Sequence, residues 1–117
     1  MKILIVDDNS ELSFLLQWTL EEEGYEVKVA NNGAEGYFAF LLFNPDVVLT
    51  DIQMPEKNGF ELMESIRCHN PAVRTIYMSG NLTQFQSNLG EEMKKYHARA
   101  LEKPFSKEEL IRLISSS

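Results

Sequence analysis

Five short strand-like runs alternate with five helix-like segments along this chain, and that alternation leaves few folds open. "ILIV" (residues 3–6) is a continuous apolar run rich in β-branched residues, the pattern of a strand buried on both faces. Leu12, Leu16 and Leu20 then recur at helical spacing behind Asn9 or Ser10 as cap, and Gly24 ends that segment. "YEVKVA" (residues 25–30) alternates as an edge strand does. Asn31-Asn32-Gly33 is turn chemistry, and the helix expected from about residue 34 to 43 is closed by Pro45. "DVVLTD" is the next buried strand. Asn58, with Glu61 three residues later as in a capping box, opens a helix that reaches about Cys68. "VRTIYMS" (residues 73–79) is a fourth strand, and residues 82–96 form a helix weakened by Gln84, Gln86, Ser87, Asn88 and Gly90. "ARALE" (residues 98–102) is a short fifth strand, and Ser106 with Glu109 opens a last helix carrying Leu110, Ile111 and Ile114. Strands alternating with helices predict a parallel sheet covered on both faces.

Size and charge narrow the function classes. At 117 residues the chain is one compact domain, and 44% hydrophobic residues suffice for a packed core. A net charge of -7 argues against direct nucleic-acid binding, which needs a basic face. Cys68 is the single cysteine, which excludes an intrachain disulfide and a cysteine-based metal cluster. "MKILIVDD" turns acidic too soon for a signal peptide or membrane insertion, so the expectation is a cytoplasmic protein. No repeat, linker or low-complexity tract occurs beyond the terminal serines 115–117.

In open sheets of this class ligands bind outside the carboxyl ends of the strands. The first strand ends in Asp7-Asp8, the third in Asp51, the fourth in Ser79-Gly80, and Lys103-Pro104 follows the fifth. Three carboxylates brought to one edge raise each other's pKa values unless a cation joins them. A hard divalent ion suits an all-oxygen site, and Mg²⁺ takes one or two carboxylates, waters and a phosphate oxygen. Lys103 adds a positive charge for a phosphate and Ser79 a hydroxyl donor. Taken singly, each residue has a plainer reading: Asp7 and Asp8 as helix-capping acids, Asp51 and Ser79 as turn residues, Lys103 as a solvated lysine. His69 and His97 match no metal spacing, Cys68 reads as structural, and Met54 reads as packing.

"ILIVDD", "VVLTDIQMP" with Gly59 eight residues after Asp51, Ser79 at a strand end, and "EKPF" before the last helix together resemble the receiver domain of two-component response regulators. The resemblance covers nearly the whole chain and includes the stand-alone, chemotaxis-type receivers. It implies a flavodoxin-like, doubly wound α/β fold with a five-stranded parallel sheet in the order 2-1-3-4-5 and five flanking helices. It implies that Asp51 accepts a phosphoryl group from a sensor histidine kinase or histidine phosphotransfer protein. It further implies that Asp7, Asp8, Asp51 and the Gln53 backbone carbonyl arrange Mg²⁺, and that Ser79 and Lys103 bind the phosphoryl oxygens. Lys103-Pro104 is expected to be cis. One receiver domain is expected over residues 1–117 with no output domain in this chain, either as a stand-alone protein or as part of a longer regulator. Such a domain is a switch that catalyses its own phosphorylation and dephosphorylation, not a turnover enzyme.

Three departures bear on readout. Ala100 stands where such domains often carry Tyr or Phe, Tyr96-His97 stands where Gly-Ala is usual, and Ser79 and Lys103 are 24 positions apart, a longer spacing than expected. The fourth helix is therefore expected to be displaced or mobile. At about 100° per residue, Phe14 and Trp18 point away from the Leu12/Leu16/Leu20 stripe, and Phe38 and Leu42 point away from Gly36, Tyr37 and Phe40. Either pair is a candidate docking face for a kinase, a phosphotransfer domain, an output protein or a second copy in a homodimer, against the plainer reading of scattered surface hydrophobes. Rival functions are a metal-dependent phosphatase with an aspartyl nucleophile, whose second acid would fall at Gln53, and a receiver-like interaction module that is not phosphorylated. A flavin domain of the same topology is disfavoured because "DDNSE" would repel a phosphate.

Overall fold

The computed structural model describes residues 1–116; Ser117, the last of the terminal serines, lies outside the described residues. The elements run β1 (Lys2–Val6), α1 (Ser10–Glu22), β2 (Glu26–Ala30), α2 (Gly33–Phe43), β3 (Val47–Asp51), α3 (Gly59–Arg67) and β4 (Arg74–Ser79). A 3-10 turn (Leu82–Phe85), α4 (Gln86–Tyr96), β5 (Arg99–Glu102) and α5 (Lys107–Ser115) complete the chain. All strands pair in parallel in the order β2-β1-β3-β4-β5, the expected topology.

The apolar runs become strands because both of their faces are covered. β3 is buried at every position, whereas β2 at the edge alternates exposed and covered residues. The sheet separates two apolar layers. Leu16 and Leu20 of α1 meet Leu110 and Ile114 of α5 on one side. Phe40 of α2, Leu62, Met63 and Ile66 of α3, and Leu89 of α4 pack on the other, where Met54 also lies. Burial of this kind contributes roughly 25 cal/mol per Å² of apolar surface.

Local chemistry fixes most boundaries. Asn9 caps α1, and reciprocal capping boxes open α3 (Asn58 with Glu61) and α5 (Ser106 with Glu109). The helix expected over residues 82–96 is divided. The Asn81 side chain accepts from the Gln84 amide, closing a 3-10 turn, and α4 begins only at Gln86. α4 has no side-chain N-cap bond, and Leu89 is its one buried residue. β5 starts at Arg99, after His97 at φ 59 ends α4.

The outward apolar residues are where the periodicity places them. Phe14 is 72% exposed, Trp18 59%, Phe38 65% and Leu42 91%, so neither pair tucks back into the chain. Leu15 and Leu41 join them on the same helices, a wider apolar surface than expected. Cys68 is exposed. Among the described residues no helix is long and apolar enough to cross a membrane.

Candidate functional site

Parallel pairing brings the carboxyl ends of β1, β3, β4 and β5 to one edge of the sheet. Asp7 follows β1 and is fully buried; its amide bonds the Ala30 carbonyl at 3.1 Å, and its Oδ1 accepts from the Asn9 amide at 2.9 Å. Asp51 is the last residue of β3 and is also buried, while Asp8 is exposed. Asp7, Asp8 and Asp51 each offer a carboxylate oxygen within 4.8 Å of the others. Lys103 reaches across from β5, placing Nζ 3.0 Å from Asp7 Oδ2 and 3.5 Å from Asp51 Oδ2. Its amide donates to the Ser79 carbonyl at 2.8 Å, and the Lys103-Pro104 bond is cis, as expected.

Ser79 ends β4 one register step beyond the Asp51–Met78 pair. Its Oγ accepts from the Asn81 amide at 3.0 Å, which leaves the hydroxyl proton free to donate elsewhere. Gln53 is exposed in the loop that leaves β3. That loop is tightly fixed. The Gly59 amide returns to the Ile52 carbonyl at 2.9 Å, and the Lys57 amide closes a three-residue turn on the Pro55 carbonyl at 2.8 Å, with Glu56 at φ 70. A γ-turn with positive φ is rare and strained, and strain of this kind collects beside functional sites. Gly59 is required there, because a Cβ would stand 2.5 Å from the Asp51 carbonyl oxygen.

The electrostatics differ in emphasis from the sequence expectation. The Asp51 carboxyl is raised from its ordinary 3.8 to about 6. Burial is the largest cause; Lys103 opposes it, and the negative charges of Asp7 and then Asp8 add to it. Mutual repulsion of the acids is thus real but secondary. Three carboxylates against one ammonium leave a surplus of negative charge at a buried edge. A hard divalent cation with oxygen ligands fits that donor set, and it would favour the ionised form of Asp51.

Other contacts were not legible from spacing. Glu102, next to Lys103, accepts from the Leu82 amide at 3.2 Å and so ties the end of β5 to the 3-10 turn. Tyr77, Glu92 and Arg67 form a partly buried polar group behind Ser79; the one sequence hint was a tyrosine beside Ile76 and Met78 in a strand expected to be buried.

The family model described as the response regulator receiver domain matches residues 3–115. The chain is 36% identical over 111 residues to the transcriptional regulatory protein CpxR of Klebsiella pneumoniae, covering 94% of this chain and 46% of that protein. It is 31% identical over 110 residues to the transcriptional regulatory protein RprY of Bacteroides fragilis, again covering 94% and 46%. The chain therefore spans about half the length of these curated relatives. Among solved structures, the chemotaxis protein CheY4 of Vibrio cholerae superposes with a TM-score of 0.85 at 28% identity, covering 97% of this chain and 94% of that one.

Proposed function

The chain belongs to the response regulator receiver domain family, and on that premise we propose that Asp51 is the residue that accepts the phosphoryl group, from a phosphohistidine of a sensor kinase or phosphotransfer protein. One observation carries the assignment. Asp51 is the acid at the end of the central strand, 8% exposed, with a lysine ammonium at 3.5 Å and two neighbouring carboxylates, whereas Asp7 is fully enclosed and its two oxygens are already held by the Asn9 amide and by Lys103. In the transfer, an Asp51 carboxylate oxygen forms a bond to phosphorus as the phosphorus–nitrogen bond of the donor breaks, and the donor imidazole retains the electron pair and takes up a proton.

The protein's part is positioning and charge compensation. Burial in β3 holds the Asp51 carboxylate at a fixed place, and Lys103 Nζ stands where it can bind a phosphoryl oxygen. The Ser79 hydroxyl donates to another oxygen of the same group. Asp7, Asp8, Asp51 and the Gln53 backbone carbonyl would hold Mg²⁺. When bound, the ion offsets the negative charge on the acids and the phosphoryl oxygens. Gln53, two residues after Asp51, carries an amide that cannot act as a general acid, which disfavours steady turnover of phosphomonoesters. The setting proposed is the cytoplasm, and the output passes through contact with a partner or a further domain.

The test is incubation with a small phosphodonor and Mg²⁺, followed by intact mass. The expected result is a single phosphate adduct in the parent and none in Asp51→Asn. An adduct in the variant at another residue, or none in the parent, overturns the assignment.

A further inference from the structure

β4 carries three hydroxyls on one face, at alternate positions, and each reaches a different element. Thr75 Oγ1 accepts from Arg67 Nη2 of α3 at 3.1 Å. Tyr77 Oη donates to Glu92 Oε1 of α4 at 2.5 Å. Ser79 Oγ lies at the acid site. Arg67 Nη1 donates to the same Glu92 oxygen at 2.7 Å. One glutamate oxygen therefore joins α4 to both β4 and α3.

This junction is costly to disturb. Tyr77 is fully buried, Arg67 is 8% exposed, and the Glu92 side chain is half-buried at 18% exposure. Removing either partner of a buried, charge-assisted hydrogen bond strands the other. Little else fastens α4. Leu89 is its one buried residue, its N-terminus has no side-chain cap, and Gly90 lies mid-helix. Elements with few buried contacts belong to the low-stability end of a fold. There is also room for α4 to move. A groove of about 330 Å³ lies between α4 and β5 beside the 3-10 turn, lined by Leu82, Gln86, Leu89, Met93 and Ala100. Ala100 pairs in register with Tyr77 and leaves that space open. The Arg67 guanidinium has a second partner at hand, the Tyr96 ring 3.8 Å away, and its Nε has no hydrogen-bond partner among the described residues.

We propose that Tyr77, Glu92 and Arg67 form a latch through which the state of the acid site sets the position of α4. The inference rests on the phosphoacceptor reading above. When a phosphoryl oxygen recruits the Ser79 hydroxyl, the end of β4 shifts and the Asn81 amide loses its acceptor. Tyr77, two residues back on the same strand face, carries the shift to Glu92 and so to α4. Tyr77 is a positioning residue in this scheme and touches no phosphoryl group.

The test uses hydrogen exchange of the α4 amides, with the α1 amides as internal reference, with and without Mg²⁺ and a small phosphodonor. Phosphoryl loading is read by mass in the same samples. Tyr77→Phe keeps the ring against Phe60, whose centroid is 4.9 Å away, and removes only the hydroxyl. Glu92→Gln keeps the shape and removes the charge. Without donor, both variants are expected to exchange about tenfold faster in α4 and unchanged in α1. With donor, α4 exchange changes in the parent, while the variants load phosphate equally and show no further change. Parent-like basal exchange in both variants, or a donor-dependent change in the variants as large as the parent's, overturns the latch. A parent that takes up no phosphoryl group overturns the phosphoacceptor reading and the coupling with it. The donor-free samples then still decide whether Tyr77 and Glu92 hold α4.

Discussion

At the scale of single residues, Asp51 sets a trade between stability and function. Its folded pKa of about 6 lies above the unfolded carboxylate value of about 3.9. The native state therefore holds a proton over a pH range in which the unfolded chain has lost it. Stability from this group is full below about pH 4 and falls as pH rises through about 6. Without divalent ion, Asp51→Asn is expected to match the parent near pH 4 and to exceed it at neutral pH by on the order of 2 kcal/mol. Urea midpoints at the two pH values check this, and a variant less stable than the parent at neutral pH would refute it. That Asp7, Asp8, Asp51, Ser79 and Lys103 gather at one edge was legible in the sequence, because parallel strands bring their carboxyl ends together. The rank of burial above charge repulsion at Asp51 was not, since it depends on how completely neighbouring strands and α3 enclose β3. The Tyr77–Glu92–Arg67 group was hidden for a similar reason. Its members lie on three elements, with the two hydrogen-bonded pairs 15 and 25 positions apart, and meet only through packing.

At the scale of elements, the N-terminus of α3 acts as a backstop for the acid site. Gly59 leaves no room for a side chain between helix and strand. Gly59→Ala is expected to cost about 1–3 kcal/mol through overpacking, and to reduce phosphoryl uptake because the displaced atoms belong to Asp51 and Ile52. Equal urea midpoints for variant and parent would show that the loop yields instead. Elements whose ends are set by neighbouring residues were read well from sequence. The capping boxes at Asn58 and Ser106 are complete within four residues. The segment after β4 was legible only as a weak helix. Its division into a 3-10 turn and α4 is fixed by Asn81 and by Glu102, which arrives from another strand.

At the scale of the whole molecule, surface and site are connected. A groove of about 730 Å³ between α1 and α5 is lined by Leu12, Leu15, Leu16, Pro104 and Phe105, and Lys103 borders both it and the acid site. Phe14 and Trp18 extend the apolar surface outward along α1. Buried aromatic anchors dominate the energetics of protein interfaces. The double variant Phe14→Ser/Trp18→Ser is expected to slow transfer from a histidine-phosphorylated protein donor about tenfold or more, with the rate from a small phosphodonor unchanged. Stopped-flow transfer assays separate the two rates, and equal slowing with both donors would count against docking on α1. The outward direction of these residues followed from helical periodicity; the groove did not, because it needs the docked position of α5. The same long-range assembly governs biosynthesis. The ammonium of Lys103 sits on an acid 96 positions earlier in the chain. On the proposed mechanism, a nascent polypeptide on the ribosome is inert toward its donor until β5 has emerged and docked. Signalling competence is thus acquired in one step when β5 docks, and chains in which that segment has not yet emerged cannot draw phosphoryl groups away from folded ones.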